Sequence, residues 1–181
     1  HFKQQLLPNK PMNTPSNKNQ FILIILILSI IPLFTVTTTG EELIVDSNGN
    51  GDYTNLYAAI TNAQDNDIIT IKNGTYQVND SQKLIIDKSL TINGSNKQET
   101  IIKQIQYGNL FEITADHVTI KNLTLQGRFL SIMYLQANHT TLENIHINTT
   151  GYADAITTDN QPKQEITIKN LTSRQKNIVL N

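Results

Sequence analysis

A right-handed parallel β-helix, a solenoid of short strands stacked coil on coil, is the fold class this sequence predicts. Three observations predict it: a short apolar-Thr-apolar core that returns at intervals near 22 residues, an alternation of apolar and polar residues around each copy, and a composition rich in Asn and Thr. Of the 181 residues 22 are Asn and 22 are Thr, about a quarter of the chain, while Cys and Trp are absent. Thr suits a pleated, half-buried surface and Asn suits a tight bend, so this is the composition of many short strands joined by many turns.

The core recurs as Ile69-Thr70-Ile71, Leu90-Thr91-Ile92, Val118-Thr119-Ile120, Thr140-Thr141-Leu142 and Ile166-Thr167-Ile168, with intervals of 21, 28, 22 and 26 between the central threonines. Residues 118–124 read VTIKNLT and residues 166–172 read ITIKNLT, six of seven identical, and residues 69–75 read ITIKNGT. The fourth copy diverges in letters but keeps the pattern, with Ala137-Asn138-His139 before it where Ala115-Asp116-His117 precedes the third, and Ile145-His146-Ile147 after it. A period of two residues marks a strand with one face buried. A repeat this short leaves no room for helical crossovers, so each copy must stack on the last around a shared apolar interior.

The N-terminal residues 1–40 read as an extension and signal peptide. Residues 21–34 form an apolar run of 14, preceded by Lys10 and Lys18 and followed by small and polar residues to Gly40. The run is shorter than the roughly 20 residues that span a bilayer, and Pro32 interrupts it, which favours a cleaved signal over a membrane anchor. Met12 offers a natural start, which would place residues 1–11 upstream of it. Cleavage near Gly40 leaves a mature chain of residues 41–181 with the charge of 11 basic against 15 acidic residues, or −4, after Lys3, Lys10 and Lys18 are removed from the 14. No basic stripe remains, so nucleic acid is not an expected partner, and the membrane is expected only through the signal segment.

Residues 44–63 read as a lead-in with a short capping helix. Thr54 is placed to cap it, and Leu56, Ala59, Ile60 and Ala63 fall on one face. Such a helix would cover the open end of the stack, where strand edges would otherwise invite pairing. The preceding Asp46-Ser47-Asn48-Gly49-Asn50-Gly51-Asp52 alternates oxygen-bearing side chains with Gly as a calcium loop does, but it lacks the closing Glu at EF-hand spacing. The reading taken is a turn, with calcium the alternative and no cofactor expected.

These residues and motifs resemble right-handed parallel β-helix proteins with PbH1-type repeats. In particular they resemble the Asn/Thr-rich adhesin-like surface proteins of methanogenic archaea, which join a signal peptide to repeats such as VTIKNLT. The resemblance covers about residues 43–181 and implies an exported, non-catalytic protein, secreted or held at the cell surface, that contacts polysaccharide or cell-surface glycans. Residues 44–76 are also similar to the opening of pectinesterases, which makes a carbohydrate-active enzyme, pectinesterase- or lyase-like, the alternative. The pectinesterase segments Asp-Phe-Ile-Phe-Gly and Gly-Arg-Pro-Trp have no counterpart, the only arginines are Arg128 and Arg174, and the acidic residues are dispersed, with Asp154 and Asp159 near Tyr152 the one loose pair. A third reading is a fragment of a larger surface protein, truncated at its C-terminus, whose open stack would associate end to end.

Among single residues, Asn73, Asn122, Asn144 and Asn170 share one repeat position and are expected to form a ladder of stacked amides at a left-handed bend. Seven Asn-X-Ser/Thr sequons begin at Asn73, Asn79, Asn93, Asn122, Asn138, Asn148 and Asn170, and Asn138 and Asn148, read as loop residues, are the expected glycan acceptors. His117 and His139 fall one coil apart, within reach of a shared metal ion, but two ligands do not make a site, so a surface stack of two turn histidines is expected.

Overall fold

Short strands with one apolar face cannot stand alone, and here each finds its partner in the next turn of chain. The computed structural model describes residues 39–127, 131–149, 154–159 and 161–173, which form a parallel β-solenoid of about five turns. Strand β1 (Glu42–Val45) and helix α1 (Leu56–Asn62) lead in. The turns then follow as β2 (Ile68–Ile71), β3 (Gly74–Val78) and β4 (Leu84–Ile86), as β5 (Thr91–Gly94), β6 (Thr100–Gln104) and β7 (Phe111–Ile113), and as β8 (Thr119–Gly127) with β9 (Ser131–Leu135). Strands β10 (Thr141–Thr149) and β11 (Asp154–Thr158) make the fourth, and β12 (Thr167–Lys169) and β13 (Thr172–Ser173) belong to the fifth.

Three parallel faces result. The first carries β1, β2, β5, the front of β8, the front of β10 and β12 in that order; the second carries β3, β6, the rear halves of β8 and β10, and β13; the third runs β4, β7, β9, β11. Because side chains alternate, each face puts one column inward and the next outward. Leu43, Ile69, Ile92, Ile120 and Leu142 stack inside the first face, Tyr76, Ile102, Leu125 and Ile147 inside the second, and Leu84, Phe111, Met133 and Ile156 inside the third, all buried. This interior supplies the cohesion that a chain without disulfides needs, each fully buried aliphatic side chain contributing about 1.5–3 kcal/mol relative to exposure.

The corners are set by residues that accept the left-handed backbone. Asn122, Asn144 and Asn170 have φ of 59°, 54° and 50° between the first and second faces, and β8 and β10 run through that corner without a break. Between the third face and the first, Asn66, His117, His139 and Glu165 have φ of 72°, 60°, 51° and 51°. Each of these lies two residues before a member of the outward column Ile68, Thr91, Thr119, Thr141 and Thr167.

That column corrects the first copy of the repeat. Thr91 pairs with Ile68, not with Thr70, so the first interval on this face is 23 residues, from 68 to 91, instead of 21. A slip of two preserves which side chains face inward, so alternation cannot detect it. The difference is taken up at the corner: Ile71 pairs with Gly94 on the first face and Gly74 with Thr100 on the second, leaving Lys72 and Asn73 outside the pairing in turn one and residues 95–99 outside it in turn two. In turn three only Asn122 lies outside the pairing between the two faces.

The same register corrects the ladder. Asn122 Nδ2 donates to Asn93 Oδ1 at 2.8 Å, Asn144 Nδ2 to Asn122 Oδ1 at 2.9 Å and Asn170 Nδ2 to Asn144 Oδ1 at 2.9 Å. The first rung is therefore Asn93, while Asn73 lies outside the column and donates to Glu99. Asn73 misses the column because the register of the first face sets Thr70 opposite Asn93, leaving Asn73 beyond the strand and beside Glu99. Gly94 is required there, since a Cβ on it would lie 2.1 Å from the Asn122 carbonyl oxygen.

Helix α1 packs against β4, β1 and β2, covering the free edge of the third face. Leu56, Ala59, Ile60 and the C-terminal Ala63 are buried, but the N-cap is Asn55, not Thr54: Asn55 Oδ1 accepts from the Ala58 N–H at 2.8 Å. An Asn at the last extended residue reaches the free amide three residues on, where Thr54 would be one residue too early.

Candidate functional site

The inserted residues 95–99 wall a groove on the second face. Their turn is closed by Asn96, whose Oδ1 accepts from the Gln98 N–H at 2.9 Å and whose carbonyl accepts from Thr100 N at 2.7 Å. Thr124 Oγ1 of the next turn donates to the Lys97 carbonyl at 2.6 Å, which pins the loop over the second face. Beneath the overhang lies a groove of about 460 Å³ lined by Lys97, Gln98, Ile101, Thr124, Gln126, His146, Asn148 and Thr172.

Register explains its shape. Ile101, Thr124, His146 and Thr172 stand one above another in four successive turns, and Lys103, Gln126 and Asn148 form the parallel column two residues along. Rungs are about 4.8 Å apart, so the groove floor is a two-column array of side chains running along the solenoid axis, aliphatic at Ile101 and in the stems of the polar residues and polar at their tips. His146 is held by its Nδ1 at 2.9 Å from Thr172 Oγ1. Gln126 and Asn148 present amides that are half-buried, and Ile101 adds an aliphatic surface. Amides, hydroxyls, an imidazole and an ammonium around one aliphatic patch can exchange hydrogen bonds with hydroxyl groups while covering the C–H side of a ring.

The sequence-predicted residues lie mostly elsewhere. Asn148 sits within β10 and on the groove floor, not in a loop, because β10 continues for nine residues through the Asn144 corner. Asn138 is in the turn before β10, with its Oδ1 accepting from Gln164 N at 3.1 Å. The imidazoles of His117 and His139 stack with centroids 4.6 Å apart and planes 27° apart. Flanking His139 are Asp116, at 3.8 Å from Nδ1, and Glu165, at 3.6 Å from Nε2. The Asn138 N–H donated to Asp116 holds that carboxyl below the usual range, with both imidazoles adding to the effect against partial desolvation. Among the described residues no three His, Asp, Glu or Cys side chains are placed to hold a metal ion together.

In the loop that resembled a calcium site, the carboxylates serve the backbone: Asp46 Oδ1 accepts from Asn48 N and Asp52 Oδ2 from Ile44 N, both at 2.8 Å. Asp159 pairs with Lys163 at 2.6 Å, which lowers its pKa, and Lys163 also donates to the Gln136 carbonyl at 2.9 Å. The side chain of Asp154, and Tyr152, Arg128, Arg174 and the signal segment, lie outside the described residues. No helix among the described residues is long and apolar enough to cross a membrane.

Sequence reasoning missed the groove as a unit. Its signal was present in the outward positions that follow each corner Asn, Thr124 and Gln126 in one turn and His146 and Asn148 in the next, but the loop that walls it was visible only as a long interval. Fold and groove together define a parallel β-solenoid with an axis-aligned groove on its second face. No protein-family model matches the chain, and no curated protein matches it.

Proposed function

We propose that this chain is an exported, non-catalytic surface protein of the adhesin-like kind, which contacts glycans through the groove on its second face. The observation that carries the reading is the pair of outward columns, Ile101-Thr124-His146-Thr172 and Lys103-Gln126-Asn148, walled by Lys97 and Gln98. Side chains repeating at the strand spacing suit a polymer whose own groups repeat along one direction, and shallow contacts add through repetition. The lining side chains offer hydrogen bonds and one ammonium but no carboxylate, whereas a glycosidase needs a carboxylate pair.

The test is binding of residues 41–181 to a panel of plant and microbial polysaccharides, with released reducing ends, methanol and unsaturated sugars followed in parallel. Binding without turnover is expected, and Gln126→Trp, which fills the groove from an outward position, abolishes it at an unchanged melting temperature. Turnover above a heat-treated control would overturn the non-catalytic reading, and undiminished binding by Gln126→Trp would overturn the assignment to the groove.

A further inference from the structure

We infer that the groove selects an anionic linear polysaccharide, lying along the solenoid axis, over a neutral one; this rests on the groove being the glycan-contact face. The first observation is charge. Residues 41–181 carry four more acidic than basic groups, from 11 basic against 15 acidic, so a patch taken at random should be acidic. The groove lining departs from this: its ionisable members are Lys97 and His146, and Lys103 stands beside Gln126 on the adjoining rung, with no Asp or Glu among the lining residues.

The second observation is that the two lysines have no carboxylate partner among the described residues. None of Lys97, Lys103 and His146 takes part in a salt bridge among the described residues, whereas Lys88 and Lys163 do. The nearest carboxylate in sequence, Glu99, is occupied with Asn73 at the corner. Two lysines of intermediate exposure, with no salt bridge among the described residues, form a site of positive potential beside the groove, to which an anionic polymer brings the complementary charge.

Geometry adds direction. Lys97 and Lys103 both belong to turn two, at the Ile101 end of the columns, and the side chains of Thr124, Gln126, Asn148 and Thr172 continue from them along the axis. A bound chain must run lengthwise to meet them all, and affinity should rise with oligomer length until the four turns of the Ile101 column are spanned. Lysine and imidazole do not distinguish a carboxylate from a sulfate ester, so the shared chemistry is the anionic group, and the probes separate its sources.

The experiment titrates residues 41–181 with a polyuronate, a sulfated glycan and a neutral glycan of matched length, at low and high salt. The expected result is preference for one or both anionic chains, lost at high salt as screening demands. Lys97→Gln with Lys103→Gln should weaken that binding about tenfold at low salt while leaving the melting temperature in place. Neutral and anionic chains binding equally, without salt dependence and without response to the lysine substitutions, would overturn the inference and leave the groove standing. Failure of a folded sample to bind any of the three would overturn the groove reading and this inference with it.

Discussion

Replacing Asn144 separates the two contributions that a ladder asparagine makes. Its side chain holds two rungs, donating to Asn122 at 2.9 Å and accepting from Asn170 at 2.9 Å, and its backbone stands at a φ of 54°. The rung to Asn122 is part-buried and the rung from Asn170 is exposed, so each contributes at the low end for a hydrogen bond, about 0.5–1 kcal/mol. Asn144→Gly removes both rungs while keeping the backbone comfortable, and should cost about 1–2 kcal/mol. Asn144→Ala removes the rungs and also forces a Cβ into the left-handed region, at about 1.5 kcal/mol, offset by about 0.7 kcal/mol because alanine restricts the unfolded chain more than glycine does. The net addition is near 1 kcal/mol, for a total of about 2–3 kcal/mol. Equilibrium urea unfolding followed by far-ultraviolet circular dichroism reads both, and the expected order of stability is Asn, Gly, Ala. Glycine equal to asparagine would show that the amide column adds nothing, and alanine equal to glycine would refute the argument from backbone conformation.

Three further outcomes follow from the packing and the charges. Gly94→Ala places a Cβ 2.1 Å from a backbone oxygen that β8 holds in place, so the second and third turns must separate locally, with a loss above about 3 kcal/mol by calorimetry. Asn55→Ala leaves the Ala58 amide of α1 without its acceptor, and should cost about 1 kcal/mol in the urea midpoint, where Thr54→Ala should cost little. Asp116 and Asp159 both titrate below the ordinary carboxyl range, the first chiefly through the Asn138 N–H and the second through Lys163, so the unfolded chain binds protons first on acidification. Their stabilisation is present above a pH of about 4 and is lost as pH falls through the folded-state values, and Asp116→Asn with Asp159→Asn should flatten the urea midpoint against pH in that acid window only.

Much of the architecture was legible because its cause is local. Alternation with a period of two tells which side chains face inward, whatever they stack against, so Ile92, Ile120 and Leu142 could be placed in the interior before any strand was paired. The left-handed bends were legible at Asn122, Asn144 and Asn170 for the same reason, since the residue type tolerates a conformation that others avoid. His117, His139 and Glu165 adopt the same conformation with less suitable side chains, so the second corner was visible only as an aligned pair of histidines.

What the sequence alone determined was therefore the stack: repeated strands, one apolar side each, closed by Asn-rich corners and opened by a helix. Only the tertiary structure decided the register of the first turn, the replacement of Asn73 by Asn93 in the ladder, and the groove. They depend on the pairing between turns and on how many residues each turn carries around the corner, two in turn one, five in turn two and one, Asn122, in turn three. A slip of two residues leaves every face assignment intact, so local pattern is blind to it. Pairing to the next turn is not, because it must bring backbone groups and buried side chains into contact all the way along the strand.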